Sequence, residues 1–320
     1  MSAMALPAVD RTIAFLRQGD DFLVTAHVNS DGDAIGACLG LQRLLGQMNR
    51  TATIVLPEPA DARYDFLAGH DGIQAAVEAP PRQYRHVAVL DCPRRARIGR
   101  VVAYLAGDAR VLNVDHHAGN DAFGDVNLAV PEASSTCEIL FGLARAMALE
   151  VDAATAAQLY TGIVFDTGGF RYSLATARTL EIGAELVRCG ARLDAIADRV
   201  FAQRPASEAR QLGQALRTLA LHCGGQIACM HLDYAQLRAG DPEEVVNHGL
   251  AIRGVQAALL LKERSPGQFR VSLRSRGSLD VARIAARFGG GGHANAAGCT
   301  LEGAREEVER RLLEAIEQDL

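Results

Sequence analysis

A chain of 320 residues exceeds a typical single domain, so two domains are expected. Its net charge of −5 argues against a long nonspecific nucleic-acid surface, which needs basic patches, although short anionic ligands stay compatible with it. Seven cysteines, odd in number and never spaced C-x-x-C, argue against a disulfide scaffold or a zinc knuckle. No run approaches the roughly 18–20 apolar residues of a membrane span, and residues 1–10 lack the basic-then-apolar pattern of a secretory signal. A cytoplasmic protein is expected.

Apolar spacing predicts a leading helix over 9–19, a strand over 22–26, a helix over 31–48 and a strand over 51–56. Strands near 87–90 and 110–114 follow, separated by a helical stretch around 98–105. This alternation is the rhythm of a parallel sheet covered by helices. Ser135-x-x-Glu138 reads as a capping box opening a helix to about Met147. A helix over 153–164 leads to Asp166, and another over 175–188 stops at Gly190. The expected division is a catalytic domain over 1–190, a helical linker over 191–215 that includes Pro205, and a smaller α/β domain over 216–320. Strands over 226–231, 254–261 and 269–274 and helices over 280–288 and 304–318 fill the latter.

Acidic and imidazole groups recur where apolar segments end: His27-x-x-x-Asp31-x-Asp33, then Asp91, then Asp115-His116-His117, then Asp166. Groups just past the carboxyl ends of parallel strands converge on one crevice, so these are expected to meet. Four or more carboxylates and two imidazoles, with no cationic side chain nearby in sequence, would repel one another. Bound cations remove the conflict. Imidazole with carboxylate suits manganese, iron or zinc, and carboxylate alone suits magnesium. The ligand count is enough for two ions, which predicts hydrolysis by a bridging hydroxide attacking phosphorus. Asp91, reached from a central strand, is expected to bridge the ions. His116 is expected on the second ion, and His117 on a phosphate oxygen or as proton donor to the leaving group. Taken alone, Asp31 would simply cap a helix behind a Gly32 turn, and Gly168-Gly169 after Asp166 would let backbone approach closely.

In the second domain, Gly289-Gly290-Gly291-Gly292-His293 sits between an apolar helix and a compact Ala-rich segment. Exposed backbone N–H groups there, with His293 opening a helix, would cradle an anion. Arg274 and Arg276, on or just after the preceding strand, would clamp phosphate through bidentate hydrogen bonds.

Taken together, these residues resemble the DHH phosphoesterase family with a C-terminal DHHA1 domain. The resemblance rests on His27 through Gly36, Val89-Leu90-Asp91, Asp115-His116-His117, Ser134-Ser135-Thr136 with Glu138, Asp166-Thr167-Gly168, and Gly289 through Gly298. It covers nearly the whole chain; Asn29 and Ser30 depart from the Pro or small residues common in relatives and touch no expected ligand. The resemblance implies a parallel-sheet DHH domain and a smaller α/β DHHA1 domain with the active site in the cleft between them. It further implies two manganese ions, magnesium or another divalent ion being possible. His27, Asp31 and Asp91 would hold one, and Asp33, Asp91, His116 and Asp166 the other. Arg274, Arg276, Gly290, Gly291, Gly292 and His293 would bind substrate.

Chain length is similar to that of the short members that act as nano-RNases and as phosphatases of adenosine 3′,5′-bisphosphate (pAp), without the extra domains of RecJ-type exonucleases or membrane-bound cyclic-di-AMP phosphodiesterases. The implied substrates are RNAs of about two to five nucleotides, cut to 5′-mononucleotides, and pAp. The alternative is turnover of cyclic-di-AMP or pApA. A homodimer is a family-level expectation. A family-two inorganic pyrophosphatase would share only the metal-binding half, and a non-catalytic nucleotide-binding regulator would be expected to have lost ligands.

Overall fold

The computed structural model describes residues 6–203, 206–239 and 245–320. Two compact units divide the chain, Met1–Gln203 and Arg204–Leu320. The stretch expected as a linker is shared between them, and Pro205 lies outside the described residues.

In the first unit α1 (Leu6–Gln18) precedes β1 (Phe22–Thr25), α2 (Gly32–Gln47), β2 (Ala52–Leu56), the short β3 (Gln74–Ala75), β4 (Tyr84–Leu90), β5 (Leu105–Asp115) and β6 (Val126–Ala129). Helices α3 (Thr136–Ala146), α4 (Ala153–Asp166), α5 (Ala177–Arg188) and α6 (Leu193–Ala197) complete it. The sheet order is β3-β2-β1-β4-β5-β6, with every neighbouring pair parallel. From β1 the chain winds outward through β2 to β3, then returns to lay β4 on the other side of β1. The crevice beyond β1 and β4 is therefore the switch point at which open α/β sheets place their ligands. His27 and Asp91 follow those two strands.

Both sheet faces are covered, which is why the strands read as nearly continuous apolar runs. Val24, Leu90, Leu112 and Val114 pack with α2, α3 and α4 residues such as Ile35, Leu140 and Leu159. Leu23, Val87 and Val89 face Ile98, Val101 and Tyr104 instead. Burial of each such side chain stabilises the fold by about 1.5–3 kcal/mol. The helical stretch expected over 98–105 is a 3-10 helix over Arg95–Tyr104, interrupted by non-helical Gly99, and Leu105 already belongs to β5. Gly99 has φ 53°, and a side chain there would press on Val28 and Pro57, so close packing against two loops breaks the helix.

The second unit runs α7 (Ala206–Arg217), β7 (Ala220–His222), β8 (Ile227–Leu232), α8 (Val246–Leu250), β9 (Ala257–Ser265), β10 (Gln268–Ser275), α9 (Val281–Ala286), β11 (Gly291–His293), β12 (Ala296–Glu302) and α10 (Arg305–Glu317). Its mixed sheet is ordered β11-β12-β10-β9-β8-β7, with only β8 and β9 parallel. One face packs Leu259, Val271 and Leu273 with Ile284 of α9 and Leu312 of α10. On the other, Ala228, Met230 and Leu260 pack with Ala215 of α7 and Val246 of α8.

No helix opens at His293. Residues 291–293 form β11, the edge of a tight hairpin with β12, and the glycines are needed for that packing. A Cβ on Gly290 would lie 2.1 Å from the Gly298 carbonyl oxygen, and one on Gly292, at φ 145°, would lie 2.4 Å from that of Ala296. Backbone touching backbone leaves room for hydrogen only. The N–H groups of Gly289 and Gly290, expected to face an anion, instead donate to Ala286 and Ala285 carbonyls at the end of α9.

Candidate active site

Asp31 serves two purposes, one with each carboxylate oxygen. Its Oδ1 caps α2, accepting from the N–H groups of Asp33 (3.0 Å) and Ala34 (3.2 Å). Its Oδ2 lies 3.7 Å from Nε2 of His27. The cap also aims Asp33 inward from the first turn of α2, where it is fully buried. There its carboxylate meets the N-terminus of α3 and accepts from the N–H groups of Thr136 (2.7 Å) and Cys137 (3.0 Å). Such unsatisfied N–H groups carry partial positive charge and favour a carboxylate. Helix α3 is itself fixed by Ser135, whose hydroxyl accepts from the Glu138 N–H.

Close helix packing brings the remaining acid into place. Where α2 crosses α4, a Cβ on Gly36 would lie 2.4 Å from the Gln158 carbonyl oxygen. One on Gly162 would lie 2.4 Å from both Asp33 Oδ1 and Cys137 Sγ. These two glycines allow α4 to reach the sheet end and deliver Asp166 from its last turn. Gly168 and Gly169 both take positive φ as the chain leaves α4, and Gly168 lies against the Tyr172 ring, so the pair serves the turn.

Asp91 occupies the centre. It follows β4 with φ 52°, a left-handed conformation that Asp tolerates better than most residues and that is found disproportionately at functional sites. Its Oδ2 lies 3.3 Å from Nε2 of His27. Its Oδ1 faces the other way, 3.6 Å from Nε2 of His116, 3.5 Å from Nδ1 of His117 and within reach of the Thr136 hydroxyl at 3.3 Å. His116 Nε2 also lies 3.0 Å from Asp166 Oδ2. Three groups share Asp91: His27, Asp31 and Asp91 on one side, Asp33, Asp91 and His116 on the other, and Asp91, Asp115 and His117 beside them, each with ligand atoms within 4.8 Å of one another.

Burial would lower the pKa of His27, yet hydrogen bonding and charge from Asp31 and Asp91 raise it well above the ordinary imidazole value. Burial likewise opposes His116, and Asp166, Asp91 and Asp33 raise it. Asp33 is pushed up to about 7 by burial and the Asp91 carboxylate. Burial and Asp33 hold Asp166 well above the usual carboxylate range. Against burial, the neighbouring His27 brings Asp31 down to about 2. Protons therefore gather in the cluster to relieve its negative charge. A divalent cation relieves it more fully, and this set of carboxylate oxygens and imidazole nitrogens fits such ions. His27 is already oriented for one: Nδ1 lies 2.7 Å from the Val28 carbonyl, which can only accept, so Nε2 is left facing the carboxylates.

Asp115 and Glu138 enter the sequence motifs without their supporting roles, and Asn113, Asn120 and Arg97 lie outside those motifs. Asp115 is fully buried and accepts from the His116 N–H (2.9 Å), from His117 Nδ1 (2.7 Å) and from Asn120 Nδ2 (2.6 Å). Asn113 donates to the carbonyls of Val89 and Cys92, which turns its own oxygen toward Asn120 (2.8 Å). That fixes the amide orientation of Asn120 and, through Asp115, the proton on His117 Nδ1. Glu138 accepts from Ser134, Thr179 and Arg178 and holds the loop before α3. Arg97 also belongs here: its guanidinium lies 3.1 Å from His27 Nδ1, although the sequence had suggested no nearby cation. Its place six residues past Asp91 was the available signal.

In the second unit, Arg274 on β10 pairs with Ala296 on β12, which pairs with His293 on β11. Directly paired residues point to the same face of a sheet, so Arg274 and His293 flank the small Ala296. Arg274 is half-buried and donates to the Leu273 carbonyl. Arg276 lies just past the strand and is exposed, and Gly291 and Gly292 form the hairpin edge.

Residues 21–163 match the DHH family N-terminal domain, and residues 209–320 match the DHHA1 domain. The bifunctional oligoribonuclease and PAP phosphatase NrnA of Thermus thermophilus is 35% identical over 93% of this chain and 89% of its own. The chain belongs to the DHH/DHHA1 family. As a member of this phosphoesterase family it is a hydrolytic enzyme with a cluster suited to divalent metal. The cyclic-di-AMP phosphodiesterase PdeA of Listeria monocytogenes is 27% identical over 94% of this chain but only 48% of its own. An exopolyphosphatase-related protein from Bacteroides fragilis superposes with a TM-score of 0.88 at 27% identity, covering 98% of this chain and 96% of its own. No described helix is long and apolar enough to cross a membrane.

Proposed function

We propose that this chain is a manganese-dependent phosphoesterase that cuts short oligoribonucleotides to nucleoside 5′-monophosphates and removes the 3′-phosphate of pAp. The observation that carries this reading is the position of Asp91, one oxygen toward His27 and the other toward His116. In this reading His27, Asp31 and Asp91 would hold one ion, and Asp33, Asp91, His116 and Asp166 the second. Such ions polarise the phosphoryl oxygens and lower the pKa of water so that hydroxide is available at neutral pH.

The protein's own groups do the rest. Thr136 donates to the Asp91 oxygen that faces His116, and the α3 N-terminus donates two N–H groups to the buried Asp33 carboxylate. His117, with its Nδ1 proton committed to Asp115, presents Nε2 for proton transfer to the leaving oxygen. Arg274 and His293, with Gly291, Gly292 and Arg276 beside them, bind the phosphate and sugar of a short substrate. The likeness to the Thermus enzyme over nearly its full length supports this substrate class, whereas the likeness to PdeA favours cyclic-di-AMP or pApA as a second reading.

Product analysis with manganese separates the two. Conversion of short RNAs and pAp to mononucleotides, with a long RNA and cyclic-di-AMP spared, is the expected result. Preferential opening of cyclic-di-AMP would move the protein to second-messenger turnover. The same assay with magnesium in place of manganese tests the metal.

A further inference from the structure

Immediately past Asp91 the chain reads Pro93-Arg94-Arg95-Ala96-Arg97-Ile98-Gly99-Arg100, four arginines in seven residues of an otherwise acidic protein. Arg94, Arg95 and Arg100 are exposed and Arg97 is half-buried. Many other arginines of this unit are spent on carboxylates, as in Arg43–Asp152, Arg82–Asp21, Arg145–Glu185 and Arg199–Asp65. Among the described residues, none of these four has a carboxylate partner within 4.0 Å. Ordinary packing explains Ile98, which is buried, but it gives no reason for the charges around it.

The segment is anchored against the metal-ligand cluster at both ends. Arg97 touches His27 at 3.1 Å, and its carbonyl accepts from the Val28 N–H at 2.7 Å. A side chain on Gly99 would reach Val28 and Pro57, so Arg100 starts beside the loop that carries His27. Arg94 is three residues from Asp91, and since extended chain spans at most about 3.3–3.6 Å per residue, its Cα lies within about 11 Å of that of Asp91. Distances of this order are close to the Debye length of about 8–10 Å at moderate salt. Guanidinium groups also bind phosphate through paired hydrogen bonds that lysine cannot make.

We propose that Arg94, Arg95, Arg97 and Arg100 form an anion-binding ledge for the non-scissile phosphodiesters of a single-stranded oligonucleotide. Arg97 takes the phosphate next to the scissile one, and the three exposed arginines take those beyond it. This rests on the oligonucleotide reading above. It deepens that reading by locating, on the catalytic unit itself, a reason for longer substrates to bind better than minimal ones.

The test compares wild type with a triple variant, Arg94→Gln, Arg95→Gln and Arg100→Gln, in the full chain with manganese. Arg97 is left intact because it touches His27. Substrates are a pentanucleotide, a dinucleotide and bis(p-nitrophenyl) phosphate, a diester with no further phosphate. The expected result is a KM for the pentanucleotide raised about tenfold relative to that for the small diester, the size of one lost charged hydrogen bond of about 1.5 kcal/mol. The salt dependence of that KM should also flatten, because each single-strand phosphate contact contributes a slope of about 0.7. A triple lysine variant should recover part of the loss. Equal change on all three substrates, or none, would overturn the ledge. Should wild type hydrolyse the small diester yet neither RNA, the oligonucleotide reading itself would fall, a result distinct from failure of the ledge alone.

Discussion

The two units carry their functional candidates on opposite kinds of scaffold. In the first, the candidate ligands His27, Asp91 and His116 follow parallel strands β1, β4 and β5 by one or two residues, and Asp33 and Asp166 stand on helices α2 and α4. In the second, Arg274 and His293 stand on an antiparallel sheet and are brought together by cross-strand register. Strand ends gather groups from distant sequence into one crevice and bury them, whereas a sheet face displays them in a row. The first arrangement concentrates charge, which demands a counter-ion and shifts protonation strongly. The second sets Arg274 and His293 on either side of Ala296 without gathering a comparable charge cluster among the described residues. The first unit is thus expected to govern turnover and the second, affinity.

Substitution at the centre of the first unit should produce the largest effect. Asp91→Ala removes the carboxylate shared by these groups and should lower kcat/KM for a short RNA by at least about 10²–10³-fold, the scale of losing one group that stabilises developing charge. The fold should persist, because deleting one member also relieves carboxylate repulsion, and thermal melting of the metal-stripped variant checks that. Near-normal turnover would remove Asp91 from the bridging position. Next in size is Asn120→Ala, which breaks the amide ladder from Asn113 to Asp115 without touching any presumed ligand. Outer partners of this kind typically contribute about 10–100-fold. The loss should fall on kcat, with KM little changed, since Asp115 would be less firmly held against His117. A pure stability loss with kcat unchanged would reduce Asn120 to a structural role.

Legibility differed between the units for the same physical reason. Ligand-type residues after apolar runs are visible in sequence because the strand-end crevice is a property of the whole topology, and His27, Asp31, Asp33, Asp91 and His116 do converge. What stayed hidden depended on distances between helices or on hydrogen bonds formed after folding. Gly36 and Gly162 look like any helical glycine until α2 and α4 cross. Asp115 looks like another ligand until its oxygens are seen committed to His117, His116 and Asn120. Asp31 was readable either as cap or as ligand, and its two oxygens are divided between the α2 terminus and His27. The glycine run showed the limit of pattern reading. Four glycines do signal close backbone approach, but the approaching partner is β12, and an anion-cradling helix at His293 does not form.

A smaller change is expected in the second unit. Arg274→Ala should raise KM for pAp and short RNA by about tenfold while leaving kcat close to normal, because it removes a charged contact made equally in ground and transition states. A fall in kcat with constant KM would instead assign Arg274 to the developing charge and erase the division of labour between the units.

The subtlest test concerns protons rather than side chains. In metal-stripped protein Asp33 has its folded pKa raised to about 7 from 3.8, so the folded state keeps a proton that the unfolded chain releases, and stability falls as pH rises across that interval. His27 and His116 are also raised, above 6.5; their stabilisation is complete below that value and is lost as pH climbs through their folded pKa values, the same direction. Asp31 and Asp115 are lowered, so their stabilisation is lost only as pH falls below about 4, which leaves the interval above to the first group. Chelator-treated protein should therefore melt at progressively lower temperature between about pH 5 and 8. Added manganese should restore more stability at pH 8 than at pH 5, because metal must displace these same protons to bind. The second unit holds no comparable cluster among its described residues, so Asp91→Ala should flatten this pH dependence and Arg274→Ala should leave it unaltered. A melting temperature that rises with pH in the stripped protein would mean that the cluster's charge is relieved by something other than its own protons.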